Sequence, residues 1–276
     1  MEIVQSQTMG DGYGHSLVRV AESPEGVAKA KRARQLLSQG DWGQASAIYR
    51  ELTQEFPLDR ELRRHFLLNA FRQRDYYEVV QQSLDLADLA LSENDTATAL
   101  ERYSEILRLP ELAAGEQGQE VANEVAALID PLKADIYFAY GDHYLAIKNP
   151  QLALQYFDVS ERLLPGRWET AWGAGQAWLL MGEKERAIKA LYTSVNSGPN
   201  EAATAYELLG EVLLGEGRPL PKLRELFWRA SVIYENFELF DDALRVALRW
   251  LKLDSQDRSM ADRATALNRA IDRRLA

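Results

Sequence analysis

Apolar residues recur at intervals of three and four along most of the chain, the spacing that places them on one face of an α-helix, and short polar stretches interrupt the runs. The pattern predicts fourteen helices, near residues 25–39, 42–55, 59–72, 76–92, 95–108, 117–129, 132–146, 150–163, 168–180, 184–197, 201–215, 221–236, 240–252 and 258–274. Taken in order they make seven hairpins. The stretch LPELAAGEQG, residues 109–118, gathers a proline and two glycines without an apolar period and is the expected interruption. Residues 1–24 are expected to form a mobile tail. Residues 25–130 read as degenerate hairpins, and 131–276 as more regular ones continuous with them. Arg258, Asp262, Arg263, Arg269, Asp272 and Arg273 make the outer face of the last helix polar, as a terminal cap requires.

A period of about 34 residues underlies these helices. From Ala134 to Arg167, Tyr137, Tyr140, Gly141 and Tyr144 are followed by Ala153, Phe157 and Pro165. From Trp168 to Glu201 the spacing returns with Gly175, Trp178, Gly182, Ala187, Leu191 and Pro199. A further copy runs from Gly26 to Asp59, with Ala33, Leu36, Gly40, Trp42, Ala45, Tyr49 and Pro57. Tyr206, Leu209, Gly210 and Leu213 recover half of the pattern, and around Phe227, Ala230, Tyr234, Ala243 and Trp250 it returns shifted by one helix. Small residues let two helix axes approach closely, large ones fill the space beside them, and proline ends a unit because it cannot continue a helix.

These motifs resemble the tetratricopeptide repeat (TPR), strongly over 134–201, moderately at 26–59 and weakly between 60 and 130. The resemblance implies an all-α, right-handed superhelical solenoid of about seven hairpins with a C-terminal capping helix, which acts by holding other proteins. It also implies that the first helix of each hairpin lines a concave groove. By analogy the groove-facing positions are Asp135, Phe138 and Asp142, then Glu169, Trp172 and Gln176, then Thr204, Glu207 and Glu211. The lysines and asparagines with which some TPR co-chaperones grip a chain-terminal carboxylate are not at the matching places, which hold Phe138, Asp142, Trp172 and Gln176.

Composition narrows the function. The chain has 276 residues and no cysteine, so disulfides and thiolate metal sites are excluded, and His15, His65 and His143 are the only imidazoles. No cofactor is expected. The N-terminal residues have neither a basic start nor an apolar core, and no apolar run approaches the roughly 18 residues needed to span a bilayer; the expectation is a cytosolic protein without membrane insertion. Arginine outnumbers lysine 24 to 8, and alanine and leucine are abundant, which suggests a bacterial genome of high GC content.

The net charge of −10 is uneven: +1 over residues 1–75, −13 over 76–215 and +2 over 216–276. An acidic centre repels phosphate backbones and attracts basic proteins, so nucleic acid is not the expected partner. Glycines 10, 12 and 14 follow no legible strand, which makes them a flexible tail rather than a phosphate loop. Asp142 and His143 are adjacent on a helix and point apart, so they do not form a base and its orienter. Nothing else supplies catalytic residues, and an enzyme is not expected. Arginine-rich KAKRAR at 29–34 and DRELRR at 59–64 alternate with Glu51, Glu55, Asp59 and Glu61, which indicates surface pairing more than a binding patch.

The reading is therefore an adaptor or assembly factor that takes a basic protein segment in an acidic, aromatic groove, with Phe138 and Trp172 packing on cationic side chains. The alternative is a self-associating structural subunit, which a concentration-dependent size in solution would reveal.

Overall fold

The computed structural model describes residues 20–275, which form fourteen α-helices and two 3-10 turns. Most of the expected tail, with His15 and the glycine cluster, lies outside the described residues. Val20–Glu22 form a 3-10 turn, and the Val20 amide donates to Asp59 Oδ2 at 3.1 Å. The chain divides into two compact units between Ile136 and Tyr137, six residues beyond the boundary expected from sequence.

The first unit holds α1 (Pro24–Ser38), α2 (Trp42–Glu55), α3 (Arg60–Gln73), α4 (Tyr76–Ser92), α5 (Thr96–Gln117), α6 (Gln119–Ile129) and the start of α7 (Lys133–Ala146). One turn recurs: a residue with left-handed backbone, then an acidic or amide N-cap whose side chain accepts from the third amide of the new helix. It appears at Gly40–Asp41, Arg74–Asp75, Asn94–Asp95 and, in the second unit, Lys148–Asn149. Tyr49 stacks on Phe66 at 5.9 Å in a core with Ala33, Leu52 and Phe56. A buried polar chain ties α3 to α4: Arg63 donates to Pro57 O and to Gln82, and pairs with Asp85. Arginine at such a site is tolerated because its donors are satisfied.

The helix expected to end at residue 108 continues, and the break falls only at the last residue of the 109–118 stretch. α5 runs through Pro110 to Gln117 and stops at Gly118, where φ is 93°. Ile106, Leu109 and Ala113 continue one apolar face and are at most 2% exposed. Burying that face contributes about 1.5–3 kcal/mol per large side chain, enough to offset the roughly 3 kcal/mol that an interior proline costs. This stretch also departs from simple hairpins, since α4 packs on α3, α5 and α6.

The second unit takes the rest of α7, then α8 (Pro150–Leu163), α9 (Trp168–Leu180), α10 (Lys184–Ser197), α11 (Ala203–Gly215), α12 (Leu220–Asn236), α13 (Phe240–Leu251) and α14 (Arg258–Leu275). Its hairpins close on the small-against-large contacts that the repeat anticipates. A Cβ on Gly141 would meet Phe157 at 2.5 Å, one on Gly175 would meet Leu191 at 2.8 Å, and one on Gly210 would meet Phe227 at 3.1 Å. The chain is thus an all-α helical repeat of TPR-like hairpins. At the C-terminal end Asp257 gathers Arg224, Trp250 Nε1, Ser259 and the Met260 amide, joining α12, α13 and the first turn of α14. Arg263 of α14 bonds Ser231 and Glu235 of α12, so part of its expected polar outer face is turned inward.

Candidate partner-binding face

The candidate site in the second unit begins on α7 and the start of α9. Phe138 lies 5.7 Å from Phe157, ring to ring, and the Arg167 guanidinium sits 4.9 Å from the Phe138 centroid. One aromatic expected to meet a partner's cation therefore already carries a cation of its own chain. Arg167 Nε also lies 3.8 Å from Glu169. Asp142 belongs to the same group: burial pushes its carboxyl up to about 6, Arg167 opposes the rise, and Glu169 adds to it.

Along α9, Trp168 Nε1, Trp172 Nε1 and Gln176 Nε2 are buried without hydrogen-bond partners among the described residues. They recur at four-residue spacing and so share a face of the helix. Each unpaired donor costs about 1–3 kcal/mol, so the row is under-satisfied as it stands. Trp168 and Trp172 pack on the core shared by α10 to α14, where a Cβ on Gly198 would meet Trp168 at 2.5 Å.

On α11, Thr204 is half-buried, and Glu207 and Glu211 are both engaged. Glu207 is held by both terminal guanidinium nitrogens of Arg245 and by the Tyr234 hydroxyl at 3.3 Å, and Glu211 by Arg249 at 2.6 and 2.8 Å. The two forks stand side by side because both glutamates and both arginines are spaced by four. Glu207 and Glu211 thus keep their places on the face, while their charge is matched from α13. Asp135 falls in the first unit, where it adds to the burial that pushes the Tyr103 hydroxyl up to about 12.

Of the nine residues read from sequence, Phe138, Asp142 and Glu169 are brought together around Arg167, Trp172 and Gln176 continue along α9, and Glu207 and Glu211 form the forks. Arg167, Arg245 and Arg249 escaped the sequence reading. The arginines of α13 left a signal, since the i, i+4 spacing of Arg245 and Arg249 repeats that of the two glutamates. Arg167 left none, because it sits in a turn outside the helical period.

Among the described residues no group of three or more His, Asp and Glu gathers to hold a metal ion, and no helix is long and apolar enough to cross a membrane. No family model matches the chain, and no curated protein is significantly similar to it. Among solved structures the chain is similar to a crystal structure of MamA, with TM-score 0.40 and 16% identity over 76% of this chain and 91% of that one. It is similar to the C-terminal part of a TPR repeat-containing protein from Cytophaga hutchinsonii, with TM-score 0.44 and 13% identity over 88% and 95%. It is also similar to a thermophilic TPR protein of Thermus thermophilus, with TM-score 0.36 and 16% identity over 87% and 97%.

Proposed function

We propose that this chain is a non-enzymatic protein-interaction scaffold whose second unit takes a basic segment of a partner along α7, α9 and α11. Asp142 carries the reading. Its carboxyl is raised to about 6 by burial in spite of Arg167. Keeping it ionised at neutral pH costs the fold on the order of 2–3 kcal/mol relative to an exposed aspartate. A lysine or arginine brought against Asp142 and Glu169 relieves that cost, so the free energy already stored there favours a cationic ligand. Trp172 Nε1 and Gln176 Nε2 complement it, because after a rotamer change they have donors to offer a partner's backbone carbonyls. Glu207 and Glu211 set the far edge of the face without adding free charge.

The test uses the full chain as bait, capturing proteins from a lysate of the source organism at pH 7.5 and pH 5. Capture of basic proteins is expected to be strong at pH 7.5, weak at pH 5, and lost in the Asp142→Asn, Glu169→Gln double variant. An unchanged captured set in a variant with wild-type helicity removes this face as the binding site.

A further inference from the structure

Outside that face, the first unit contains a cavity of about 460 Å³ bounded by the Val20 turn, α1, α2 and the start of α3. Tyr49 lies against it, only 1% exposed, and its hydroxyl has no hydrogen-bond partner among the described residues. Arg60 Nε is likewise buried without an acceptor, although another nitrogen of the same guanidinium holds Glu93 at 2.6 Å. Arg34 lines the cavity from α1, and its one hydrogen bond is a 3.4 Å contact back to the Ala30 carbonyl of its own helix. Two buried donors, the Tyr49 hydroxyl and Arg60 Nε, therefore border one cavity without an acceptor among the described residues, and the exposed Arg34 guanidinium stands beside them.

The acids of the cavity do not fill that want. Asp59 accepts from the Leu62 and Val20 amides, Glu93 is taken by Arg60, and Glu61 is a solvent-exposed residue 3.9 Å from His65. Lys29, the other cation that faces α2 from α1, is saturated by Glu51 and Glu25. Arg34 meets no carboxylate among the described residues. Apart from His65, which stacks on Tyr49 at 6.5 Å, the remaining wall is aliphatic, with Val27 and Leu58 exposed at 42% and 56% beside buried Ala30 and Leu62. Burial raises the Tyr49 hydroxyl and Arg34 draws it back, as expected of a phenol and a guanidinium on the same cavity.

We infer that this cavity is a second binding site, which takes a carboxylate borne on a short aliphatic chain. The carboxylate accepts from Arg34, the Tyr49 hydroxyl and Arg60 Nε, while the methylenes lie on Val27, Ala30 and Leu62. A glutamate side chain of a protein segment and a free short-chain acid share this chemistry.

The test is an NMR titration of the full chain, reading the side-chain Nε–H signals of Arg34 and Arg60. The probes are butyrate, N-acetyl-glutamate N-methylamide and, as the cationic counterpart, butylammonium. Saturable shifts of both arginine signals are expected with the two carboxylates and none with butylammonium. Tighter binding of the doubly capped glutamate assigns the site to a protein side chain, and tighter binding of butyrate assigns it to a free acid. Arg34→Gln, at an exposed helix position, and Tyr49→Phe, which removes only the unpartnered hydroxyl, are each expected to weaken binding at least tenfold with the fold intact. Shifts that do not saturate, that butylammonium reproduces, or that survive in both variants overturn the inference.

Discussion

The Phe157 ring occupies the space that a side chain on Gly141 would need, since a Cβ there would lie 2.5 Å from two ring carbons. A Cβ on Gly173, of α9, would meet the same ring at 2.5 Å. The aromatic of α8 thus packs directly on glycines of α7 and α9. Gly141→Ala and Gly173→Ala are each expected to destabilise by about 1–3 kcal/mol, the usual cost of overpacking, although alanine is the better helix former. Gly115→Ala serves as the contrast, because a Cβ there, in the last turn of α5, meets nothing within 4 Å. It should stabilise by roughly 0.5–1 kcal/mol. Urea denaturation of the three variants checks both signs.

Asp142 gives the fold a pH dependence opposite to that of most carboxylates. Because its folded pKa is raised to about 6, its contribution is most favourable below about pH 4 and declines as pH rises through 6. Asp142→Asn is therefore expected to stabilise by about 1–2 kcal/mol at pH 7.5 and to change little at pH 4. Thermal melts across that range decide the point.

Asp257 behaves in the other sense. The Arg224 guanidinium, the Met260 amide, the Ser259 hydroxyl and Trp250 Nε1 hold its carboxyl far below the usual range. Its stabilisation is present above about pH 4 and is lost as pH falls below it. Asp257→Asn should cost about 2–3 kcal/mol at neutral pH and flatten the acid limb of the stability profile, since it removes a buried, multiply bonded charge. The Trp250 fluorescence transition reports the loss.

The forks on α11 and α13 are partly exposed, and each is expected to couple by no more than about 1 kcal/mol. A double-mutant cycle with Glu211→Gln and Arg249→Gln measures this. Arg245→Gln should also strengthen capture of basic proteins at pH 7.5, because it leaves Glu207 ionised without its cation on the proposed face.

Helix positions were legible in the sequence because amphipathic periodicity, the proline breaks and the small-large pairs are local signals. Gly141 and Phe157, like Gly175 and Leu191, stand sixteen positions apart, and that spacing alone anticipates their contact. Pro110 misled because a local breaker was weighed without the apolar face of Ile106, Leu109 and Ala113 that carries α5 across it.

Which residues lie on the first helices was likewise set along the chain, but which of their charges remain free was set only by packing. Glu207 and Glu211 find Arg245 and Arg249 across a hairpin 38 residues away, and Arg34 finds no carboxylate among the described residues despite acids nearby in sequence. Burial and pairing depend on neighbours from other helices, so they alone raised Asp142, matched the glutamates and left Tyr49 with an unanswered hydroxyl.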